Sequence, residues 1–281
     1  MQNPPKYMTR LMAVISVTFI LMGCAVNPVT GQRQLALMPE GMEIRIGEEK
    51  YAPCRQIHGG DYRLDPELSR YVNEVGRRLA EVSDRRLPFE FTLLNNATPN
   101  AWALPGGKIA INRGLLVELN SEAELAAVLG HEIVHAAARH GVRRLERGLF
   151  IDGALLAVAM VVGSGDYSAL ALGGAVVGSE LINQGYCREA ELEADHYGIV
   201  YMSRAGYDPR AAVALQQTFL RLARNKKSNW LAGLFASHPP SEERIRQNKA
   251  TRDCIENGGR NLGCGAVSQK NRLPVKGETR L

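Results

Sequence analysis

The chain has 281 residues, of which 45% are hydrophobic and 22% charged, as in a folded protein of one or two domains. Its 34 basic and 29 acidic residues leave a formal net charge of +5, and the basic residues are scattered along the chain. Aromatic residues make up 6% and are not interleaved with the basic ones, so the composition argues against nucleic-acid binding.

The amino terminus has the pattern of an export signal. Lys6 and Arg10 precede an apolar run over residues 11–22, and the small residue Gly23 follows it. This run is too short to span a bilayer, which needs about 20 apolar residues. We therefore expect residues 1–23 to be a signal peptide that directs export, with an uncleaved anchor as the alternative.

Cys24 directly follows this signal, an arrangement that resembles the lipobox of bacterial lipoproteins. The resemblance implies that Cys24 is lipidated and begins a lipidated N-terminal segment over residues 24–60. Several acyl chains would hold the protein at a membrane far better than one. Ala25 follows the cysteine, and by the same resemblance this favours the periplasmic face of the outer membrane over the outer face of the cytoplasmic membrane. An ordinary signal with a chance cysteine is the alternative.

Several segments before the middle of the chain predict a helix and a small sheet. Leu64 to Val82 carries an apolar stripe at helical spacing and predicts a packing helix. Phe89 to Leu94 alternates between polar and apolar side chains, which is typical of a strand. Ala101 to Leu104 and Lys108 to Asn112 then predict an antiparallel hairpin around residues 105–107.

His131, Glu132 and His135 form an HExxH pattern. On a helix the two histidines share a face, one turn apart, so both rings can bind one metal ion. Glu132 lies about 100° further round the helix, where it can act as the base for a zinc-activated water without binding the ion. Ser121 opens a capping-box pattern that predicts the start of this helix, and no proline interrupts it before Gly148. A surface helix that carries two histidines by chance is the alternative.

Two apolar runs, residues 149–162 and 167–177, follow the HExxH helix. Each is shorter than the about 20 residues that a membrane span needs. They predict a buried or interface-lying helical hairpin that packs over the site. A membrane-dipping element is the alternative.

A second predicted helix, residues 188–204, supplies the missing metal ligand. Zinc bound by two histidines and a water lacks one protein ligand, and Glu191 is the best candidate. Asp195 lies one turn later on the same face, where it can accept a hydrogen bond from a liganding imidazole. Glu193 should face elsewhere, and His140, further along the first helix, should point away from the metal. A solvated acidic helix face is the alternative.

An HExxH helix followed by Glu-x-x-x-Asp resembles the CAAX-prenyl-protease type of zinc metallopeptidase, a gluzincin family. The chain resembles in particular the small bacterial lipoprotein members of this family, relatives of the β-barrel assembly-enhancing proteases. Further segments match this pattern in order and cover most of the chain from about residue 27 to about residue 250. These segments are Asn27–Leu35, Asn100–Gly107, Ala205–Pro209 and Ser237–Pro240.

The resemblance implies an α+β fold: a mostly helical, zincin-like metalloprotease domain over residues 61–250, with a small antiparallel sheet whose edge strand lines the active-site cleft. It implies one Zn²⁺ per chain, bound by His131, His135 and Glu191, with Glu132 as the base. It also implies that the edge strand receives the substrate, because an exposed edge offers main-chain donors and acceptors to an extended peptide. An ordinary hairpin is the alternative. The expected substrate strand is Asn100, Ala101, Trp102, Ala103 and Leu104.

His238 stands before two prolines, which restrict its backbone. The family places this segment near the active site, so the resemblance makes His238 a catalytic candidate. It could donate a hydrogen bond to the developing oxyanion, or bind zinc at its open position and silence the resting enzyme. A turn that precedes the helix of residues 242–249 is the alternative.

Four of the five cysteines remain after the lipidated one, and an even number in an exported protein suggests disulfides with three possible connectivities. We favour Cys254–Cys264 across a short loop in a C-terminal tail of residues 251–281. Cys54 and Cys187 then pair by elimination. Zinc binding by cysteines has less support, because no close Cys-x-x-Cys pair exists.

These features predict a zinc-dependent metalloendopeptidase of the bacterial cell envelope that hydrolyses peptide bonds in misfolded or unassembled envelope proteins. Its expected partners are unfolded envelope or outer-membrane polypeptides and, through lipid on Cys24, a membrane. The alternative is an envelope chaperone or assembly factor that holds outer-membrane proteins with little or no proteolysis. Glu132 argues against that alternative, because a pure binder has no need of this carboxylate. An exopeptidase, the third possibility, would need a pocket for a free chain terminus.

Overall fold

The computed structural model describes residues 24–148, 185–224 and 231–258. The predicted signal peptide, the two predicted apolar runs of residues 149–177 and the predicted disulfide partner Cys264 lie outside these residues. Within the described part of the chain, no helix is long and apolar enough to cross a membrane.

The described residues are mostly helical with two small sheets, which confirms the predicted α+β class. A short N-terminal hairpin leads into two helices, three strands follow, and the remaining elements are helical. The strands are β1 (Cys24–Val26), β2 (Arg33–Leu35), β3 (Glu90–Leu94), β4 (Ala101–Leu104) and β5 (Lys108–Asn112). The helices are α1 (Glu40–Ile57), α2 (Pro66–Ala80), α3 (Arg113–Leu116), α4 (Glu122–Ala137), α5 (Arg188–Arg204), α6 (Arg210–Arg224), α7 (Ala232–Ser237) and α8 (Glu242–Glu256).

The larger of the two described sheets has the strand order β3-β5-β4 and is mixed. β4 and β5 pair antiparallel, with Trp102 opposite Ala110, and form the predicted hairpin. β3 runs parallel to β5, with Thr92 opposite Ala110, so the expectation of a wholly antiparallel sheet was wrong. β5 lies between two strands of opposite direction and must therefore be parallel to one of them. β4 is left at the edge of the described sheet, as predicted.

Local signals explain where the main helices begin. Asp65, Ser121 and Ser241 each accept a hydrogen bond from the backbone N–H three residues later, which satisfies a donor at the first turn of α2, α4 and α8. Pro66 occupies the first position of α2, where a missing N–H leaves no hydrogen bond unmade. Helix α2 and strand β3 lie within two residues of their predicted bounds.

Strand β4 separates two buried clusters. Ala101 and Ala103 belong to the main core, which also includes residues of α2, α4 and α5. Trp102 and Leu104 point to the opposite face, where the Tyr51 ring of α1 meets the Trp102 ring edge-on at 6.0 Å. This alternation is the two-residue period of a strand. As a result, only the small side chains of Ala101 and Ala103 lie on the face of β4 that packs toward α4.

Two glycines let α4 and α5 cross at close range. A Cβ atom at Gly198 would lie 3.0 Å from the backbone nitrogen of His131, and one at Gly130 would lie 3.1 Å from the backbone oxygen of Gly198. Both distances are shorter than ordinary van der Waals contact. Because the crossing lies beside His131, it determines how closely the functional side chains of the two helices approach.

Helix α4 ends at Ala137 and does not continue to Gly148. Arg139 has a φ of 62°, a left-handed conformation that is unfavourable for a residue with a Cβ atom, and residues 140–148 are helical again. The buried carboxylate of Glu43 on α1 supports this turn, because Arg139 Nε lies 3.1 Å from Glu43 Oε2. The expectation of an uninterrupted helix was wrong because a tertiary contact stabilises the break.

The predicted disulfide between Cys54 and Cys187 is not formed. Cys54 is buried on α1 beside Trp102, whereas Cys187 is exposed at the start of α5, so the two thiols lie in different environments. Pairing by elimination failed because an even count says nothing about burial. Cys254 of α8 is disulfide-bonded, and its pairing with Cys264 stays a prediction.

Candidate metal centre

The structure brings four side chains together between α4, α5 and the end of α7. One nitrogen or oxygen atom from each lies within 4.8 Å of the others, and all four residues are buried. Two come from successive turns of α4, one from the first turn of α5, and one from the residue that follows α7. They are His131, His135, Glu191 and His238.

The three side chains predicted as ligands converge on one point. His131 Nε2 lies 2.9 Å from His135 Nε2, and the Glu191 carboxylate oxygens lie 3.5 and 3.3 Å from these two nitrogens. Around a tetrahedral zinc ion with bonds of about 2.0–2.1 Å, ligand atoms are about 3.3 Å apart. Imidazole nitrogens and carboxylate oxygens are common ligands of zinc. The spacing and the chemistry of these side chains therefore fit a divalent metal ion.

The carboxylates make this buried point favourable for a positive charge. Burial by itself would raise the pKa of Glu191, but His238, His131 and Arg244 outweigh it and hold this pKa well below its usual value. Burial would likewise lower the pKa of His131, yet Glu191 and Asp195 raise it to about 10. A proton or a metal cation at His131 would be stabilised by the same two acidic groups.

Glu132 lies beside the cluster. Its Oε1 atom is 3.5 Å from His238 Nε2, and its buried Oε2 has no hydrogen-bond partner among the described residues. Burial raises the pKa of Glu132, although His238 and His131 oppose that shift. The side chain also lines a pocket together with His131. Its Oε2 is therefore positioned to accept a proton from a group bound at the cluster.

Asp195 contacts the first histidine from behind, in the geometry that the sequence predicts. Its Oδ1 lies 2.9 Å from His131 Nδ1, so it can accept the Nδ1 proton and leave Nε2 facing the cluster. Arg244 Nε and Nη2 donate to the two oxygens of Asp195 at 2.7 Å, and Arg244 Nη1 lies 2.9 Å from Glu191 Oε2. Arg244 therefore binds Asp195 through two nitrogen atoms and Glu191 through the third. These contacts hold both acidic side chains of α5 in place.

Arg244 was not predicted from the sequence. It is the third residue of α8 and belongs to none of the quoted motifs. Two carboxylates buried on one helix do require a cation nearby, and that requirement was the available signal. With 34 basic residues in the chain, the signal could not single out this one.

His140 and Tyr186 were also missed. The break after α4 turns His140 back toward His135, with the two Nδ1 atoms 2.7 Å apart, so the expectation that it points away was wrong. His140 Nε2 lies 3.0 Å from Glu193 Oε1, and this contact explains why Glu193 faces away from the cluster. The Tyr186 ring stacks on His135 with centroids 3.8 Å apart. His135 is therefore fixed on two sides by residues outside the HExxH pattern.

The predicted substrate strand lies next to this cluster. Ala101 of β4 lines the same pocket as His131 and Glu132. The backbone oxygen of Asn100 accepts a hydrogen bond from the Asn112 N–H at 2.9 Å, while its buried side-chain oxygen has no partner among the described residues. β4 has a single strand partner within the described sheet, and its four residues are buried.

The family model of peptidase family M48 matches residues 65–252 of the chain. The chain is 32% identical over 192 residues to the putative beta-barrel assembly-enhancing protease of Vibrio cholerae, which covers 66% of this chain and 39% of that protein. It is 32% identical over 229 residues to the mitochondrial metalloendopeptidase OMA1 of Schizosaccharomyces pombe, covering 78% and 64% of the two chains. It is 27% identical over 212 residues to the metalloprotease YcaL of Escherichia coli, covering 73% and 78%.

The matched region covers only part of the length of some relatives. The chain spans 39% and 42% of the length of the assembly-enhancing proteases of Vibrio cholerae and Escherichia coli. The family match nevertheless includes the HExxH helix, Glu191, Asp195, His238 and Arg244. These side chains are the ones that the structure gathers around a possible metal position. The chain therefore belongs to peptidase family M48.

Proposed function

We propose that the protein is a zinc-dependent endopeptidase that cleaves misfolded or unassembled proteins of the bacterial cell envelope. The observation that carries the proposal is the buried group of His131, His135 and Glu191, whose ligand atoms have tetrahedral spacing beside the unpaired Oε2 of Glu132. A binding protein has no need of a buried, unpartnered carboxylate next to a metal position. A hydrolase needs one as its base.

Zinc bound at this position would lower the pKa of a water to about 7 and polarise the scissile carbonyl. Glu132 takes the proton of the attacking water at Oε2 and passes it to the nitrogen of the leaving amine. Because burial raises the pKa of Glu132, its carboxylate binds that proton more strongly than an exposed glutamate would. Asp195 and His140 accept the Nδ1 protons of His131 and His135, so both Nε2 atoms face the metal position.

The position of His238 supports a role at the metal. Its Nδ1 atom lies 3.2 Å from His131 Nε2 and 3.0 Å from Glu191 Oε1, among the other ligand atoms. A fourth protein ligand there would exclude the water that hydrolysis requires. We therefore assign this conformation to the resting enzyme. Once moved aside, the same ring could donate a hydrogen bond to the developing oxyanion.

The substrate is proposed to bind as an extra strand on β4. This strand lies at the edge of the described sheet, and Ala101 lines the pocket that also contains Glu132. Main-chain pairing orients the scissile bond and demands little of the substrate side chains, which suits a protease for unfolded polypeptides. Cleavage inside a chain follows from such pairing because no free terminus is needed.

The envelope location rests on the amino terminus and on the relatives. Cys24, the proposed lipidation site, is the first residue of β1. The beta-barrel assembly-enhancing proteases that resemble this chain carry a name that points to assembly of β-barrel proteins. We propose that this protein acts on similar clients from the periplasmic face of the outer membrane.

Glu132→Gln is the direct test. The variant keeps the shape of the side chain but cannot act as a base, so we expect it to bind zinc normally and to lose casein hydrolysis by a factor of about 10² or more. Glu122→Gln on the same helix, where the glutamate contacts Arg78 far from the cluster, is the matched control and should retain full activity. Zinc content measured by mass spectrometry must be equal in all three proteins. Full casein hydrolysis by Glu132→Gln would refute the assignment.

A chaperone that holds outer-membrane proteins is the second candidate, favoured by the edge position of β4 in the described sheet. The two functions differ in their response to zinc removal. A chaperone should prevent aggregation of an unfolded porin equally well with and without a chelator, whereas a protease should lose porin cleavage when the chelator is added. Undiminished cleavage in chelator would contradict the endopeptidase proposal.

A further inference from the structure

The N-terminal hairpin, which consists of β1, β2 and the turn between them, contacts the end of α4 through one buried amide side chain. This side chain belongs to Asn27, the first residue after β1, which is 1% exposed. Asn27 lies three residues after the proposed lipidation site Cys24 and outside residues 65–252, which the family model matches. The family match therefore does not account for the burial of this residue.

The oxygen of the Asn27 side chain folds the turn of the hairpin. Its Oδ1 atom accepts hydrogen bonds from the backbone N–H groups of Val29 at 2.9 Å and Thr30 at 3.2 Å. An aspartate oxygen forms the same kind of turn equally well. The turn therefore does not explain why the residue is an asparagine.

The nitrogen of the same side chain reaches outside the turn. Asn27 Nδ2 lies 3.4 Å from Glu193 Oε1 of α5, 3.5 Å from the backbone oxygen of Ala138 after α4, and 3.2 Å from Gln34 Oε1 of β2. All three neighbours can accept a hydrogen bond, and the amide has two hydrogens to donate. A carboxylate at this position would bring only a further acceptor. The contacts beyond the turn therefore require the amide.

Glu193 connects this amide to a predicted metal ligand. The Oε1 atom that faces Asn27 also accepts a hydrogen bond from His140 Nε2 at 3.0 Å. His140 Nδ1 in turn lies 2.7 Å from His135 Nδ1, on the side of the His135 ring that is turned away from the cluster. Four side chains in contact thus join the N-terminal hairpin to the cluster.

The segment that follows the hairpin fixes the chain around the break after α4. The backbone N–H groups of Leu37 and Met38 both donate to Glu146 Oε1 at 2.8 Å. Arg139, the residue of the break, donates through Nη2 to the backbone oxygen of Met38 at 2.5 Å. This break is what returns His140 to the cluster. The N-terminal segment therefore contacts both the break and the hydrogen-bonded side chains that lead from it.

We propose that Asn27 is a positioning residue for the metal ligand His135. Its Nδ2 donor holds the Glu193 carboxylate against His140, and His140 then sets the orientation of the His135 ring. This inference rests on the metal site of the proposed function. It adds the N-terminal hairpin to the elements that shape that site.

Asn27→Asp tests this role, because it removes the donor while preserving the size of the side chain and the acceptor of the turn. At about pH 8, well above the ordinary aspartate pKa of about 3.9, the new carboxylate places a like charge beside Glu193. We expect zinc affinity of the purified full chain, measured by competition with a chromophoric chelator, to fall about three- to tenfold. A group that contacts a ligand directly typically contributes more, about 10- to 100-fold. Zinc affinity equal to that of the wild type would overturn the proposal.

Asn96→Asp is the matched control. Asn96 is half-buried and also folds a turn, since its Oδ1 accepts from the backbone N–H of Thr98 at 2.9 Å while its Nδ2 donates to the backbone oxygen of His58 at 3.2 Å. Neither partner belongs to the cluster or to the side chains that lead to His135. The same substitution should therefore leave zinc affinity unchanged.

Asn27→Ser provides a variant without an added charge. A serine hydroxyl can fold the same turn, although more weakly, but it is too short to replace the amide at Glu193. Cobalt(II) bound in place of zinc reports the ligand geometry through its visible absorption bands. We expect altered bands in Asn27→Ser and Asn27→Asp but not in Asn96→Asp, whereas a purely structural role would lower the melting temperature and leave the bands as in the wild type. Unaltered bands in both Asn27 variants would refute the positioning role.

A double-mutant cycle tests whether Asn27 acts through Glu193. Glu193→Ala leaves the hairpin intact and should weaken zinc binding by itself, because His140 loses its acceptor. Once Glu193 has been removed, Asn27→Asp should cause little further loss, since the contact that it disturbs no longer exists. Two losses that simply add would show that Asn27 does not act on the metal site through this carboxylate.

These measurements require no proteolysis, so this inference and the proposed function can fail separately. Weaker zinc binding by Asn27→Asp, together with a zinc-loaded wild type that cleaves no casein, would support the positioning role and contradict the endopeptidase. Casein cleavage by the wild type, together with wild-type zinc affinity in Asn27→Asp, would do the reverse.

Discussion

At the scale of single residues, His135 illustrates how side chains outside a motif complete it. Its Nε2 atom faces the cluster, and its Nδ1 atom lies 2.7 Å from His140 Nδ1. Each of these ring nitrogens has a hydrogen-bond partner when His135 Nδ1 donates to His140 Nδ1 and His140 Nε2 donates to Glu193. Burial lowers the pKa of His140, although Glu193 opposes it, and a lowered pKa favours the neutral ring that this chain of hydrogen bonds requires.

His140→Ala should therefore weaken zinc binding. Without an acceptor for its Nδ1 proton, the His135 ring is no longer held in orientation, and zinc affinity should fall about 10- to 100-fold. Competition with a chromophoric chelator measures this affinity. His140→Asn retains an acceptor oxygen and should recover part of the loss.

His196→Ala is the control for that experiment. His196 is partly buried, and its Nδ1 atom contacts Thr251 Oγ1 at 2.7 Å, away from the cluster. Its replacement should change thermal stability without changing zinc affinity. If His140→Ala binds zinc as tightly as the wild type, the orienting role of His140 is wrong.

At the scale of elements, the crossing of α4 and α5 positions the cluster. Glu191 and Asp195 reach the histidines because Gly130 and Gly198 allow the two backbones to approach. The break at Arg139 is the other element-level feature, since it returns His140 to the site. Neither feature follows from helix propensity alone, because each depends on a neighbouring element.

Gly198→Leu should separate these helices. A side chain there meets the backbone beside His131, and backbone cannot rotate away as a flexible side chain can. We expect a loss of about 1–3 kcal/mol in the free energy of unfolding and weaker zinc binding, because Glu191 moves away from the imidazoles. Urea titration and zinc competition measure the two effects.

Gly41→Leu is the matched control, since a Cβ atom at this helical glycine meets nothing within 4 Å. Both substitutions replace a helical glycine by a stronger helix former. Only Gly198→Leu should lose stability and affinity. Equal behaviour of the two variants would show that the close crossing is not needed.

At the scale of the whole molecule, a metal ion at the cluster would link α4, α5 and the residue after α7. A ligand that binds only the folded protein stabilises it, by about 2.7 kcal/mol when present at 100 times its dissociation constant. We therefore expect a chelator to lower the melting temperature by about 5–10 °C in differential scanning calorimetry.

Glu191→Ala should abolish most of that difference. Without the carboxylate, zinc has only histidine ligands from the described part of the site, and the melting temperatures with zinc and with chelator should nearly coincide. An unchanged zinc-dependent shift in this variant would remove Glu191 from the set of ligands. A wild type that melts at one temperature in both conditions would argue against a structural contribution of the metal.

Much of the fold and the centre of the site could be predicted because their signals are local. The stripe of α2, the hairpin of β4 and β5, and the cap at Ser121 each depend on residues close in sequence. The parallel pairing of β3 with β5 and the absence of a bond between Cys54 and Cys187 depend on which elements meet in space. Periodicity and residue counts contain no information on which elements pack together in the tertiary structure.

The same division holds for the metal centre. The amino-acid sequence by itself determined that His131 and His135 share one helix face, with Glu132 beside them, and that Glu191 and Asp195 share another, because helix geometry converts a spacing of four residues into a shared face. Only the tertiary structure decided that His140 returns to His135, that Arg244 neutralises the buried carboxylates, and that His238 lies among the ligand atoms. These contacts join segments far apart in the chain, and packing, which has no local signature, selects them.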